Sequence, residues 1–268
     1  MPRPELPFYP AQLSPTWTRA LWRVNQWLFL RHLRIQVSLP PADLARLQAL
    51  PAQGAMIIAS NHPSYPDPLV LFELCRRWDR PAYFVAARIL FRRLWGFEGA
   101  LISRAGAFSV APGGRNQAAV DYARDRLRDG THPLIIFPEG HTFYLNDIIM
   151  PLKPGAADWA LELAREGRPA CVVPIAIKYH YQQDVRGALN RGTQRMERLV
   201  LHGAPELPPG DFWSRLYLRL YRIGDTVLSR YEERYGYRPP RGADVDERLV
   251  GLADFLIRDL ERKYEREA

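Results

Sequence analysis

Residues 55–67 read Ala-Met-Ile-Ile-Ala-Ser-Asn-His-Pro-Ser-Tyr-Pro-Asp, and this stretch decides the fold class. Its first half, Ala55–Ser60, is a short apolar run without polar alternation, which is typical of a strand buried on both faces of a parallel sheet. Pro63 and Pro66 then exclude a regular helix and favour a turn. A helical segment, Asp67–Trp78, follows. A strand, a turn and a helix in this order indicate an α/β fold.

The same alternation continues along the middle of the chain. Short apolar runs predict five strands: Ala55–Ser60, Ala82–Ala86, Gly99–Ser103, Leu134–Phe137 and Cys171–Ile177. Helical patterns separate or follow them at Asp67–Trp78, Asn116–Arg128, Ala156–Ala164, Phe212–Tyr235 and Val245–Lys263. We therefore expect a mainly parallel central sheet flanked by helices, with an N-terminal amphipathic helix and an appended C-terminal helical region.

The length of 268 residues fits one α/β domain with appended helices. Residues 1–48 form a proline-rich lead-in and an amphipathic helical segment, and residues 49–204 form the α/β core. Residues 205–268 form the helical region, which we expect to pack with the core as one domain.

The charge balance favours anionic partners, since Lys and Arg outnumber Asp and Glu by 37 to 29. Lipid headgroups, phosphorylated small molecules and nucleic acid all fit this excess. The sequence lacks a Lys/Arg tract interleaved with aromatic residues, so nucleic acid is not an expected partner. Cys75 and Cys171 lack metal-site or redox spacing, which predicts buried free thiols in a reducing compartment and no metal site.

The segment Trp17–Arg34 predicts a helix with one basic face. At about 100° per residue, Arg19, Arg23, Arg31 and Arg34 share an arc of roughly 120°, with the apolar residues mainly outside it. Such a helix packs on the domain with a solvated face or lies in a membrane interface, and its Trp residues favour the membrane. The prolines before it argue against a signal peptide, and no apolar run is long enough to span a bilayer.

The pair His62 and Asp67 is the first candidate for chemistry. Across a turn, the carboxylate can accept a hydrogen bond from one imidazole nitrogen and leave the other to take a proton from a substrate hydroxyl. On spacing alone, a helix-capping Asp67 and a structural His62 are the favoured interpretation. No Ser stands in a nucleophile elbow, which favours direct attack by the substrate hydroxyl over a covalent enzyme intermediate.

Further polar residues follow other predicted strands. The carboxyl ends of parallel strands share one edge of a sheet, so we expect His62, Arg104 and Glu139 to converge there. The planar guanidinium of Arg104 suits the binding of a phosphate, and Gly99 permits a close approach of the backbone. Glu139 suits a hydrogen bond to a hydroxyl or an ion pair with Arg104. Each also has a plain structural interpretation. Lys153 and Lys178 are secondary cation candidates.

Four blocks in order resemble the phospholipid/glycerol acyltransferase family: His62-x4-Asp67, Gly99–Arg104, Phe137-Pro138-Glu139-Gly140 and Val173-Pro174-Ile175. The resemblance covers roughly residues 50–180 and is most specific in N-H-x-S-x-x-D, which contains Asn61 and Ser64, and in F-P-E-G. It implies that His62 is the general base, Asp67 its partner and Arg104 a phosphate ligand. Glu139 and Gly140 belong to the acceptor site, and Pro174 to the block associated with the acyl donor.

The resemblance also implies a reaction: transfer of a fatty acyl group from acyl-CoA or acyl-carrier protein to a lysophospholipid hydroxyl, converting 1-acylglycerol-3-phosphate to phosphatidic acid. We expect no cofactor and no metal, with docking at the cytoplasmic face of a membrane through Trp17–Arg34. Alternatives are glycerol-3-phosphate or another lysolipid as acceptor, or a non-catalytic binder of anionic membranes or nucleic acid. Ser103 and the run His141-Thr142-Phe143 depart from the family pattern and leave the acceptor open.

Overall fold

The computed structural model describes residues 7–111, 116–168, 170–203 and 206–266. The chain forms two compact units that divide between Tyr179 and His180. The domain boundaries expected from the sequence, near residues 48 and 204, stay a prediction.

The first unit contains a parallel sheet. Within the described residues it has five strands: β1 (Met56–Ser60), β2 (Tyr83–Ala87), β3 (Ala107–Val110), β4 (Leu134–Ile136) and β5 (Cys171–Ile175). They are ordered β3-β2-β4-β1-β5, and every pairing is parallel. The expected α/β fold is confirmed. In this order β1, which delivers His62, lies between β4, which delivers Glu139, and β5.

Six helices of the described chain accompany this sheet: α1 (Pro15–Val24), α2 (Pro41–Gln48), α3 (Asp67–Trp78), α4 (Phe97–Arg104), α5 (Gln117–Asp129) and α6 (Gly155–Arg165). Two further segments, Asn25–Leu30 and Arg88–Gly96, are a π-helix and a 3-10 helix. Helix α5 ends at Gly130, which adopts a left-handed conformation that glycine favours.

The sheet separates two apolar clusters because successive side chains of a strand point to opposite faces. Met56 and Ile58 of β1 join one cluster, with Leu71 and Cys75 of α3. Ile57 joins the other cluster, into which α5 and α6 bury their apolar faces. Helices on both faces explain why β1 has no polar alternation.

One expected strand is wrong. Residues 99–103 belong to helix α4, and the strand that pairs with β2 is β3, immediately after it. A Cβ on Gly99 would lie 2.6 Å from the carbonyl oxygen of Phe91, so glycine lets α4 pack directly on the backbone of the 3-10 helix. Gly99 therefore serves a contact between two helices.

The N-terminal segment is helical, as expected, but it changes geometry at Asn25. The side chain of Asn25 is buried and its Nδ2 donates to the carbonyl oxygen of Leu69, in the first turn of α3. Trp22 is buried and lies edge-on to Phe72 of α3. The segment is thus anchored on the helix that begins with Asp67.

The second unit is helical in its described part, with α7 (Arg186–Leu201), α8 (Phe212–Tyr235) and α9 (Val245–Arg266). Helices α8 and α9 confirm the expected C-terminal helices, whereas α7 was not predicted. Arg219 of α8 pairs with Glu197 of α7 at 2.9 Å, and both side chains are buried. Among all helices that the structure describes, none is long and apolar enough to cross a membrane.

Candidate active site

A tight turn brings His62 and Asp67 together at the carboxyl end of β1. The chain leaves the strand at Ser60, and α3 begins at Asp67. His62 Nδ1 lies 2.7 Å from Asp67 Oδ2. A continuous helix would place the two side chains about 140° apart, so the prolines at 63 and 66 are what permit the contact. The predicted pair is therefore in contact.

Asp67 is fully buried and accepts three hydrogen bonds. Its Oδ2 accepts from the backbone N–H of Ser64 at 2.8 Å as well as from His62, and its Oδ1 accepts from the hydroxyl of Tyr179 at 2.7 Å. Burial, and then the neighbouring Asp67 carboxylate, raise the pKa of Tyr179, so its hydroxyl keeps its proton and donates. Three donors compensate a charge that burial alone would make costly.

This arrangement fixes the tautomer of His62. A carboxylate only accepts hydrogen bonds, so the proton of the neutral imidazole lies on Nδ1 and the lone pair on Nε2. Nε2 lies 2.8 Å from Thr142 Oγ1. The Thr142 hydroxyl must therefore donate to it. The sequence shows Thr142 only as a departure after Glu139-Gly140, so this contact was missed.

Glu139 holds the turn against the segment that follows β4. Its side chain is buried, with Oε1 accepting from the backbone N–H of His62 at 2.7 Å and Oε2 accepting from that of Met150 at 3.2 Å. The ring of Phe137 stacks on the imidazole with centroids 4.1 Å apart. Glu139 thus positions the backbone on both sides of the site, and the structure does not pair it with Arg104.

Lys153 places a cation beside the same segment. Gly140 has a φ of 72°, and a Cβ there would lie 2.4 Å from Lys153 Nζ. The positive φ favours glycine at this position, and the lysine side chain lies directly across it. The backbone N–H of Lys153 donates to the carbonyl oxygen of Pro138 at 2.8 Å, which fixes the position of the lysine.

Arg104 is not brought to this edge. It is exposed at the end of α4, three residues before β3, and its Nη1 donates to the carbonyl oxygen of Ala100. In a parallel sheet the residues before a strand lie at the amino edge, whereas His62 lies at the carboxyl edge. The expected convergence of Arg104 with His62 and Glu139 is therefore wrong, because Arg104 precedes strand β3 and does not follow a strand.

Asn61 links the end of β1 to the chain beyond β5. Its side chain makes two hydrogen bonds to the backbone of Ile177, at 2.9 and 2.7 Å. Pro174 lies opposite Ala59 in the register of β1 and β5 and is exposed. Asn61 therefore aligns the backbone, while Pro174 lies on the edge strand, where a missing N–H is tolerated.

The segment after Gly140 is also tied to the chain beyond β5. Asn146 makes two hydrogen bonds to the backbone of Tyr179, at 3.0 and 2.7 Å. Lys178 pairs with Asp147 at 2.5 Å on the surface. The secondary cation candidate Lys178 thus has an acidic partner.

Residues 143–152 carry a group of exposed apolar side chains. We call them the apolar segment: Phe143, Tyr144, Leu145, Ile148, Ile149 and Leu152. Ile148, Ile149 and Leu152 are each about 60% exposed, at 59, 60 and 59%. Apolar residues exposed together mark binding surfaces more often than scattered ones do. This segment begins next to the residue that binds His62 Nε2.

No metal centre is evident in the described parts of the chain, where His, Cys, Asp and Glu nowhere gather in groups of three or more that could hold an ion. Cys75 is buried, Cys171 is half-buried, and both are free thiols. The expectation of free thiols is confirmed. The groups gathered at the carboxyl edge instead suit proton transfer to and from a hydroxyl.

The parallel sheet delivers a paired His and Asp and a Phe-Pro-Glu-Gly turn to one edge, an arrangement suited to proton transfer in an α/β protein. A comparison with protein families carries this further, since the model described as Acyltransferase matches residues 43–178. The match covers half of the chain and includes every residue of the His62 site except Tyr179. The chain belongs to this phospholipid/glycerol acyltransferase family. No curated protein matches it.

Proposed function

We propose that this acyltransferase moves a fatty acyl group from acyl-CoA or acyl-carrier protein to the free hydroxyl of 1-acylglycerol-3-phosphate, giving phosphatidic acid. One observation carries the proposal: His62 Nδ1 lies 2.7 Å from the carboxylate of the buried Asp67, and its Nε2 lies 2.8 Å from the hydroxyl of Thr142. That arrangement prepares a general base for a hydroxyl substrate.

The chemistry follows from the fixed tautomer. Nε2 takes the proton of an attacking hydroxyl as its oxygen bonds to the thioester carbonyl carbon, and the imidazolium is stabilised by Asp67. When the tetrahedral intermediate collapses, the C–S bond breaks and the imidazolium returns the proton to the departing thiolate. The base is thereby regenerated, and the proposed reaction needs no metal or other cofactor.

The surroundings of the base support a lipid with an anionic headgroup. The apolar segment offers a surface for acyl chains next to Thr142, and Lys153 offers a cation beside Gly140. We therefore assign the phosphate contact to Lys153 in place of Arg104. A lysine is a point charge with no preference for one phosphate monoester over another, so the acceptor has to be decided by assay.

The N-terminal segment supports docking at the cytoplasmic face of a membrane. Its exposed apolar side chains are Trp17, Val24, Trp27, Leu28, Phe29 and Leu33. The Arg31 guanidinium lies 5.8 Å from the centre of the Trp27 ring, which combines an apolar body with a cation. Because Asn25 binds the first turn of α3, a lipid surface held here lies near the helix that carries Asp67.

Thiol release tests the reaction. Sustained release of CoA from acyl-CoA should require lysophosphatidic acid and should fall by about 10³-fold or more in His62→Ala. His202→Asn is the matched control, because His202 is exposed in the second unit and its left-handed backbone accepts Asn. A His62→Ala protein that keeps near wild-type transfer would remove the basis of the proposal.

Acceptors and membranes are tested separately. A panel of lysophosphatidic acid, glycerol-3-phosphate and lysolipids with other headgroups, run with one acyl donor, ranks the acceptors by kcat/KM.

Trp27→Ser should weaken sedimentation with vesicles of anionic phospholipid, whereas Trp213→Ser, an exposed Trp of α8, should not. Equal binding by both variants would contradict docking through residues 17–34.

A further inference from the structure

A second exposed apolar element begins at the carboxyl edge of the sheet. The 3-10 helix Arg88–Gly96 starts directly after β2. The chain then reverses into α4, so that the backbone of Phe91 lies against Gly99 across the turn. We call residues 88–98 the basic hairpin. Because it follows the carboxyl end of a parallel strand, it starts at the same edge of the sheet as His62.

Trp95 lies at the reversal of the basic hairpin and is fully exposed. Its φ is 54° and that of Gly96 is 89°. Glycine adopts this left-handed region without strain, whereas a bulky side chain rarely does. Ile89 and Phe97, close to Trp95 in the chain, are 65 and 66% exposed. The backbone thus presents a large apolar side chain to solvent in a strained conformation, which is a mark of a binding surface.

The charges of the basic hairpin favour an anionic partner. Arg88, Arg92 and Arg93 stand against one acidic residue, Glu98, which pairs with Arg93 at 3.3 Å. Apolar side chains flanked by arginines suit the surface of an anionic bilayer, where the apolar groups enter the boundary of headgroups and acyl chains and the guanidinium groups contact the phosphates.

The basic hairpin and the N-terminal segment lie on the same face of the sheet. Phe91 is buried in the apolar cluster that also contains Trp22 and Phe72. Asn25 binds the carbonyl oxygen of Leu69, in the first turn of α3, so the N-terminal segment reaches the carboxyl edge as well. Two exposed elements that are both apolar and basic therefore share one face and one edge of the same unit.

We propose that the basic hairpin is a second membrane contact, which inserts Trp95 into a leaflet of anionic phospholipid and turns the edge that carries His62 towards the bilayer. The inference rests on the proposed membrane docking and acyl transfer. Once the N-terminal segment is bound, the second contact forms at a high effective concentration of lipid. A lysolipid can then present its hydroxyl to the base without leaving the leaflet.

Quenching by brominated lipid tests the insertion. Vesicles of anionic phospholipid with brominated acyl chains quench a tryptophan that enters them. At saturating lipid, the quenched fluorescence should fall in Trp95→Asn and in Trp27→Ser and should keep its wild-type value in Trp213→Ser, the control in the second unit. Asparagine accepts the left-handed backbone, and the affinity of Trp95→Asn for the vesicles should fall about tenfold. Quenching and affinity equal to those of the wild type would overturn the inference.

The charge of the basic hairpin provides a second variant. Arg92→Gln should weaken binding to anionic vesicles about fivefold, the effect of one arginine near a charged surface, and should not change binding to zwitterionic vesicles. Arg165→Gln is the matched control, since Arg165 is exposed at the end of α6, on the other face of the sheet. An equal loss in both variants would overturn the assigned contact. If thermal unfolding shows that Trp95→Asn does not fold, this pair decides.

Kinetics separate docking from catalysis. With lysophosphatidic acid embedded in vesicles, Trp95→Asn should raise KM about tenfold and keep kcat. With a short-chain lysophosphatidic acid below its critical micelle concentration, both constants should stay at their wild-type values. A lower kcat with this soluble acceptor would assign Trp95 to the reaction itself and overturn the inference. If no variant turns over any acceptor while vesicles quench Trp95, the membrane contact stands and the proposed acyl transfer fails.

Discussion

Replacing Asp67 with asparagine removes one negative charge from the site and preserves the shape of the side chain. One oxygen becomes an amide NH₂, which can face either Tyr179 or the pair formed by His62 and Ser64. The backbone N–H of Ser64 can only donate, whereas the Tyr179 hydroxyl can rotate and accept. The amide should therefore turn its NH₂ to Tyr179 and keep its oxygen on His62, so that the imidazole retains its tautomer.

The expected loss follows from the charge alone. Two unit charges about 4 Å apart attract by about 4 kcal/mol at an effective dielectric constant near 20. In Asp67→Asn, the imidazolium formed during proton transfer loses most of this stabilisation and keeps only a hydrogen bond to the neutral amide oxygen. Since about 1.4 kcal/mol corresponds to a tenfold change in rate, kcat/KM should fall by about 10²–10³. Loss of the correct tautomer in a serine protease triad costs about 10⁴.

We test the expected fall in kcat/KM by initial rates of thiol release with lysophosphatidic acid. The rates are measured for Asp67→Asn and, beside it, for His62→Ala. Asp158→Asn, an exposed position in α6, controls for the change of charge. A rate equal to that of the wild type would show that the carboxylate does not assist His62. A fall of about 10⁴-fold, the cost of a wrong tautomer, would show an inverted imidazole, and the argument from Ser64 and Tyr179 would be refuted.

Three further predictions concern buried groups. Tyr179→Phe deprives the Asp67 carboxylate of one donor and should lower the free energy of unfolding by about 1.5–3 kcal/mol, measured in urea, while costing less activity than Asp67→Asn. Glu139→Gln must turn its NH₂ towards a backbone N–H, so the segment after β4 should exchange its amide hydrogens faster; unchanged exchange would contradict the bridging role. Burial raises the pKa of Cys75 to about 12, so thiol reagents at pH 8 should modify Cys171 first and Cys75 only on unfolding. Because burial raises this pKa, the Cys75 thiol contributes fully to the free energy of unfolding at pH values below the pKa that the same thiol has in the unfolded chain. The contribution is lost as the pH rises from that pKa towards 12.

The sequence predicts most of the sheet because its strands are short apolar runs between turns. The failure at residues 99–103 has a local cause, since Gly-Ala-Leu-Ile-Ser fits a strand or a buried helix equally well by periodicity. What decides for a helix is the contact of Gly99 with the backbone of Phe91, and a contact between elements leaves no period in the sequence. A strand at residues 99–103 would place Arg104 at the carboxyl edge of the sheet, whereas Arg104 lies at the amino edge.

The site was predictable where its residues are near in sequence. Two prolines within five residues force the turn that pairs His62 with Asp67. Tyr179 and Thr142 lie 112 and 80 residues from the groups they bind, and neither stands in a recognisable pattern. Only the order of the strands brings them to the same edge. The polar atoms that fix the tautomer of His62 and contact its Nε2 are therefore the part of the site that only the structure reveals.

The sheet, more than the turn, determines how well Asp67 can orient the base. The Tyr179 hydroxyl that binds Asp67 is positioned through its own backbone, which Asn146 holds from one side. Asn61 holds Ile177, two residues earlier, from the other side. Asn61 itself immediately precedes His62, so the imidazole and the third donor of its carboxylate are fixed by the same pairing of β1 with the chain beyond β5. This explains why an asparagine stands before the histidine: it sets the distance between the two sides of the proton-transfer site.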